Sequence, residues 1–225
     1  MALAPQKLSI GIGKAGSVSA LLMRPAQVRA CFVFAHGAGA GMTYSFMEAV
    51  AEGLCERGVA SLRYQFPYME RRAKRPDPPP LAQMTVRAAV AAAARALPDL
   101  ALIAGGKSFG GRMTSQAQAK APLPGVRGLA FLGFPLRPAN RPSHDRAAHL
   151  FDVHIPMLFL QGTRDALAAL DQIEPVCKKL GGRATLTLFE NADHSFHVPA
   201  RSGRTDAQIR GEMLDALASW IDRVI

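Results

Sequence analysis

The chain has 225 residues, of which 49% are hydrophobic, so it can bury a full core and is not a disordered chain. Its 27 lysines and arginines outnumber 17 acidic residues and give a formal charge of +10. These basic residues are spread along the chain and aromatic residues make up 7%, which argues against a nucleic-acid-binding module.

Apolar runs and helical patterns alternate along the chain. Apolar runs predict strands over residues 17–23, 30–35, 59–64, 100–104, 128–133, 156–161 and 184–189. Helices are predicted around Phe46, Val50 and Leu54 and over 84–97 and 166–180, and a last helix begins after a cap at Thr205 or Asp206. This order predicts an α/β fold with a mostly parallel sheet and helices on both faces, in a single domain over residues 1–225.

Two short motifs are open to more than one interpretation. Gly106, Lys107 and Ser108 read as the end of a phosphate-binding P-loop, but that motif needs glycine at position 101, where Ala101 lies inside a predicted strand. The letters 11–16, GIGKAG, match a dinucleotide motif but precede a strand, so they predict a hairpin turn. A nucleotide-binding protein is therefore disfavoured.

Ser108 fits the nucleophile elbow of a hydrolase, which needs a buried strand, a sharp turn and then a helix. Gly106 and Gly110 flank it at positions where a side chain would crowd the turn. A serine needs a base and an orienting acid, and Asp165 and His194 each follow the end of a later predicted strand. We therefore predict that the side chains of Ser108, Asp165 and His194 meet at one edge of the sheet.

Each partner of Ser108 has a competitor nearby. His197 lies three residues after His194, and Asp193 directly precedes it, where an aspartate would more often cap a turn. We favour His194, which is closer to the strand end, and Asp165. For the oxyanion hole, the glycine-rich stretch 36–41, HGAGAG, predicts the amides of Ala38 and Phe109 as donors, with Gly39 as the alternate. We expect His36 itself to bond the loop backbone.

The ordered motifs HGAGAG, GKSFGG, GTRD and NADHSFH resemble those of the α/β-hydrolase superfamily, particularly its small dienelactone-hydrolase-like members. The stretch 63–80, RYQFPYMERRAKRPDPPP, is similar to a subgroup of predicted hydrolases that includes an animal testis-expressed protein and a subunit of a histone-acetyltransferase complex. The resemblance implies an α/β-hydrolase fold and triad roles for Ser108, Asp165 and His194. Dienelactone hydrolases use a cysteine nucleophile, so their substrate is not carried over to this serine-containing chain.

Basic residues near the expected site are candidates for the substrate rim. Arg71 and Arg72 follow a predicted strand, and either could meet an anionic group; the open alternative is that residues 66–80 form only a solvated basic loop. Lys107 is expected to be a solvated charge that points away from Ser108, with contact to a substrate carboxylate as the alternative. Proline content predicts an extended loop over 75–80, and residues 134–150 are too few for a lid domain.

These features together predict a serine esterase that cleaves a small to medium carboxylic ester without a cofactor or metal. The alternative is a hydrolase-fold scaffold or binding protein with weak or no turnover. Three scattered cysteines, the lack of a signal peptide and the lack of a long apolar run predict a cytoplasmic protein that binds no membrane and no nucleic acid. The oligomeric state stays open.

Overall fold

A computed structural model describes residues 4–137 and 145–225. The described residues form an eight-stranded sheet in the order β1-β2-β4-β3-β5-β6-β7-β8. Strands β1 and β2, and β2 and β4, pair antiparallel, and all other neighbours pair parallel. The strands are β1 Gln6–Gly11, β2 Ser17–Met23, β3 Ala30–Ala35, β4 Val59–Tyr64, β5 Ala101–Lys107, β6 Val126–Leu132, β7 Met157–Gly162 and β8 Ala184–Phe189. The predicted mostly parallel sheet is confirmed.

Helices cover both faces of the sheet, as predicted. They are α1 Ser45–Glu56, α2 Pro67–Glu70, α3 Pro79–Ala96, α4 Phe109–Lys120, α5 Leu170–Leu180 and α6 Asp206–Val224. The buried side chains of α1 and α6 belong to one hydrophobic cluster, and those of α3, α4 and α5 belong to a second. No helix in the described part of the chain is both long and apolar enough to span a bilayer.

Strand β3 shows how the sheet separates its two cores. All six of its residues are buried. Cys31, Val33 and Ala35 belong to the cluster of α3, α4 and α5, whereas Phe32 and Phe34 belong to the cluster of α1 and α6. Successive strand side chains point to opposite faces, so an uninterrupted apolar run can fill both cores.

Several element boundaries differ from the prediction. Strand β5 continues to Lys107 instead of ending at residue 104, because Gly105 and Gly106 pair with β3 on one side and β6 on the other. Helix α3 begins at Pro79, so the extended-loop prediction is wrong for residues 79–80, where the prolines take first-turn positions that need no amide donor. The 11–16 turn connects β1 to β2 and confirms the hairpin.

Candidate active site

Ser108 lies at a tight turn between β5 and α4, at the carboxyl edge of the parallel strands. Its backbone has φ 49° and ψ −111°, a conformation that costs a non-glycine residue energy and is typical of functional turns. A Cβ at Gly106 would lie 2.4 Å from the Ala35 carbonyl oxygen, and one at Gly110 would lie 2.6 Å from that of His36. The two flanking glycines therefore let β5 and α4 approach β3 closely enough to form this turn.

Three polar side chains meet at this turn. The Ser108 Oγ lies 2.8 Å from Nε2 of His194, and the His194 Nδ1 lies 2.7 Å from Oδ2 of Asp165. Asp165 follows β7 and His194 follows β8, so the parallel strands bring both loops to the edge that holds Ser108. A neutral imidazole with its proton on Nδ1 satisfies both contacts, because Nδ1 donates to the carboxylate and Nε2 accepts from the hydroxyl.

Asp165 is 2% exposed and is held by its own neighbours. Its Oδ1 accepts from the amide of Leu167 at 2.7 Å, and its Oδ2 accepts from the amide group of Gln161. Gln161 is fully buried, and its side-chain oxygen Oε1 accepts from the backbone amide of Phe134 at 2.9 Å. Sequence reasoning missed Gln161, although a polar residue that ends an apolar strand was a signal for a buried hydrogen-bonding role.

The two competing residues, Asp193 and His197, form their hydrogen bonds with groups other than Ser108. Asp193 Oδ1 accepts from the backbone amides of Ser195 and His197 at 2.7 and 3.0 Å, as expected of a turn-capping aspartate. The His197 Nδ1 lies 2.8 Å from Asp206, at the exposed start of α6. The structure therefore brings His194 and Asp165, and not His197 and Asp193, to the serine.

The glycine-rich loop after β3 is anchored by two buried rings. His36 is fully buried; its Nδ1 lies 2.7 Å from the Gly37 carbonyl, and its Nε2 accepts from the Phe66 amide at 3.0 Å. Burial lowers the pKa of His36 to about 4, so the ring stays neutral, which confirms its expected role in bonding the loop. The Tyr68 hydroxyl donates to the Ala38 carbonyl at 2.8 Å and lies 3.2 Å from the Gly37 carbonyl, and Ala38 lines the same cavity as Ser108.

Lys107 does not point into solvent, so that part of the prediction is wrong. Its Nζ donates to the backbone carbonyl of His194 and lies 5.5 Å from the centre of the Phe196 ring. Burial lowers the pKa of Lys107 to about 8, against the opposing influence of Asp165 and Asp193. The side chain thus connects the elbow to the histidine loop.

The two arginines proposed for the substrate rim lie outside the cavities at Ser108. Arg71 pairs with Asp77 at 2.7 Å, and Arg72 is exposed. A different residue of the same segment, Arg75, lines a cavity that reaches Ser108. Residues 66–80 therefore do reach the site, but through Arg75, which was not among the candidates from the sequence.

Two cavities meet at Ser108, and both are also lined by Ala38 and Leu167. The first, of about 430 Å³, touches His194, Lys107 and Ser195, and it is lined further by Gly37, Gly39, Ala40, Tyr44, Phe46 and Met47, so most but not all of its residues are apolar. The second, of about 400 Å³, contains Phe109 and four arginines, Arg75, Arg112, Arg137 and Arg146. We call them the apolar cavity and the arginine cavity. Gly39, the alternate oxyanion donor, lies on the apolar side alone, and Ala38 lies on both.

No group of three or more metal-ligating side chains occurs within residues 4–137 and 145–225. The predicted independence from metals and cofactors stays a prediction.

The chain matches the family model described as an alpha/beta hydrolase domain over residues 28–222. Among solved structures it is similar to a lidless α/β serine hydrolase from Xanthomonas campestris, with 21% identity, a TM-score of 0.75 and coverage of 98% of this chain and 96% of that one. A dienelactone hydrolase from Anabaena variabilis superposes with a TM-score of 0.77 at 20% identity over 99% of this chain and 100% of its own. An α/β serine hydrolase homologue from Coxiella burnetii gives a TM-score of 0.76 at 19% identity, with 95% and 97% coverage. The predicted α/β-hydrolase fold is thus confirmed, with no lid domain within residues 4–137 and 145–225, and the chain belongs to the alpha/beta hydrolase family.

Proposed function

We propose that the protein is a serine hydrolase that cleaves a small to medium carboxylic ester through an acyl-enzyme. One observation carries the proposal: Ser108 Oγ, His194 and Asp165 form a continuous chain of contacts of 2.8 and 2.7 Å, and Ser108 lines two cavities. A serine hydroxyl is a weak nucleophile by itself, and an imidazole within hydrogen-bond reach supplies the base it needs.

In the proposed reaction, Ser108 Oγ attacks the ester carbonyl carbon while His194 Nε2 takes the serine proton. Asp165 holds the Nδ1–H tautomer and stabilises the imidazolium that forms. The carbon–oxygen bond to the alcohol then breaks, and His194 returns the proton to the leaving alkoxide. Water, deprotonated by His194, attacks the acyl-enzyme in the same way and releases the acid, which restores the serine.

The negative charge on the carbonyl oxygen needs donors beside Ser108. We assign this role to the backbone amides of Phe109 and Ala38. Phe109 is the first residue of α4, so its amide has no partner inside the helix and points out of the helix's positive end. Ala38 lines both cavities, in a loop that His36 and Tyr68 hold in place. Losing one such donor typically costs about 3 kcal/mol in barrier height.

The alternative function is a scaffold or binding protein with weak or no turnover. It is suggested by the resemblance to the subgroup with a histone-acetyltransferase complex subunit, which stays a prediction. The contacts at Ser108 favour the enzyme, because a scaffold needs neither a strained serine nor an imidazole aligned with a buried carboxylate. The three cysteines, Cys31, Cys55 and Cys177, are all free thiols, which supports our proposal of a reducing, cytoplasmic location.

Labelling with a fluorophosphonate probe tests the enzyme against the scaffold. We expect stoichiometric labelling of the wild-type protein and none of Ser108→Ala. Ser202→Ala, at a surface turn outside both cavities, is the matched control and should label fully. Absence of labelling of folded wild-type protein, or labelling that persists in Ser108→Ala, would reject the mechanism and leave the scaffold.

A further inference from the structure

The arginine cavity concentrates positive charge beside the nucleophile. Its four arginines come from separate parts of the chain: Arg75 precedes α3, Arg112 lies in the first turn of α4, Arg137 follows β6, and Arg146 lies in the 3-10 helix Asp145–Asp152. Arg112 is four residues after Ser108, which is about 6 Å along the helix axis. A molecule attached to the serine could therefore reach this guanidinium through a short spacer.

These charges are poorly neutralised by the side chains that the structure describes. The carboxylate that lines the cavity is Asp77, and its two oxygens are already bonded to Arg71 and to the Tyr68 amide, at 2.7 and 2.8 Å. The Nε of Arg112 is buried and has no hydrogen-bond partner in the described structure. A buried donor without a partner costs free energy that a suitable acceptor would recover.

Two of the arginines are also held in position by the backbone. Arg137 Nε donates to the Ala166 carbonyl at 2.8 Å, and Arg146 Nη1 donates to the Arg137 carbonyl at 3.1 Å. Burial, together with the neighbouring charge of Arg146, lowers the pKa of Arg112 to about 10, which indicates that the two guanidinium groups repel each other. A bound anion would relieve this repulsion, and guanidinium groups fit carboxylate and phosphate oxygens particularly well.

The position of His194 decides which part of a substrate meets the arginines. In the proposed reaction His194 protonates the leaving alcohol, and His194 lines the apolar cavity. The arginine cavity is lined by Phe109 and not by His194. The alcohol therefore belongs in the apolar cavity and the acyl group in the arginine cavity.

We propose that the arginine cavity binds an anionic group, a carboxylate or a phosphate, at the far end of the substrate's acyl group. This inference rests on the proposed serine hydrolase function. The substrate is then a half-ester whose acyl chain ends in an anion and whose alcohol is apolar. Attack by Ser108 forms the Oγ–carbonyl bond and breaks the bond to the alcohol, which leaves with the serine proton. Hydrolysis of the acyl-enzyme releases a diacid.

The test compares esters that differ in the presence and place of one anion. Monomethyl glutarate and monomethyl adipate carry a carboxylate on the acyl side, and methyl valerate and methyl hexanoate are the neutral counterparts. 4-Acetoxybutyrate carries the carboxylate on the alcohol side, and a methyl ester of a phosphonoalkanoic acid replaces the carboxylate with a phosphonate. Proton release gives kcat/KM for each. We expect kcat/KM to be at least tenfold higher for the esters with an acyl-side anion than for the neutral esters and for 4-acetoxybutyrate. Whichever of the carboxylate and phosphonate esters has the higher kcat/KM identifies the anionic group that the cavity prefers.

Arginine variants separate the cavity from the protein's general charge. Arg112→Gln and Arg146→Gln should each reduce the anionic preference several-fold without lowering the thermal midpoint. Arg95→Gln removes the same charge from an exposed site on α3, outside both cavities, and should keep the preference. Equal loss of preference in Arg95→Gln would show long-range attraction instead of a site and would overturn the proposal.

A binding measurement keeps the proposal independent of turnover. Glutarate should raise the thermal midpoint of Ser108→Ala and raise that of Ser108→Ala/Arg112→Gln clearly less. Equal rates for anionic and neutral esters, a preference for 4-acetoxybutyrate, or equal glutarate effects in both proteins would each overturn the inference and leave the hydrolase function standing. A protein that neither takes the fluorophosphonate label nor cleaves any of the esters would instead reject the proposed function itself.

Discussion

The two sides of Ser108 are built on different physical principles. On the side of the apolar cavity, polar groups such as Asp165 and His36 are buried, and each has its hydrogen-bond partners. On the side of the arginine cavity, one exposed and three half-buried arginines line the same space, and the Arg112 Nε has no described partner. Buried and satisfied groups hold one geometry, whereas unpaired charges favour an incoming anion. We infer that the first side serves the chemistry and the second serves the choice of substrate.

Asp165→Asn should produce the largest effect and should act on all substrates alike. The amide cannot stabilise the imidazolium and favours the wrong tautomer of His194. We expect kcat/KM to fall about 10⁴-fold for neutral and anionic esters equally, with circular dichroism unchanged. Steady-state kinetics on one ester of each type measure it. A loss confined to anionic esters would contradict the division between the two sides.

An acid titration should affect both sides through two histidines. Burial lowers the pKa of His36 to about 4, and burial together with the charge of Arg112 lowers the pKa of His149 to about 4. Both pKa values lie below the unfolded value of about 6.5, so between pH 6.5 and pH 4 the unfolded state binds these protons more readily than the folded state. The free energy of unfolding is therefore highest above pH 6.5 and decreases as pH falls toward 4. For the fully buried His36 alone this loss is about 3 kcal/mol.

Denaturant unfolding at pH 7, 5 and 4 measures the free energy of unfolding. His149→Gln keeps a partner for the Ser115 hydroxyl, which lies 2.7 Å from the His149 Nε2, and should reduce the acid-dependent loss. Arg112→Gln should reduce it as well, because removing the nearby positive charge lets His149 accept a proton more easily. Parallel losses in the wild type and in both variants would show that the arginine side does not influence His149.

Lys107→Met should give the smallest effect, about a tenfold drop in kcat for both ester types. The variant loses the hydrogen bond to the His194 carbonyl, so the imidazole is positioned less well, and the cost corresponds to about 1.4 kcal/mol. Because the pKa of Lys107 is about 8, the wild-type pH–kcat profile should contain a change near pH 8 that the variant lacks. Identical pH–kcat profiles in the wild type and in Lys107→Met would show that the protonation of Lys107 does not affect the reaction.

The sequence allowed most of the fold and the central contacts of the site to be predicted. Buried strands, flanking glycines and polar residues after strand ends are local signals, so they point to Ser108, Asp165 and His194. Strand pairing then required the three loops to meet. The end of β5 was misplaced, because glycine in a strand is unfavourable unless a neighbour needs the space, and Ala130 is that neighbour.

The arginine cavity and the direction of Lys107 depended on tertiary structure alone. Arg75, Arg112, Arg137 and Arg146 are separated by up to 71 positions and follow no motif, so nothing in the local sequence relates them. Lys107 turns inward because the His194 carbonyl lies within its reach. Local patterns of hydrophobicity and backbone freedom determine where the elements begin and end. Which charged side chains share a cavity is decided only when distant loops pack together, because an electrostatic interaction depends on distance in space and not on separation along the chain.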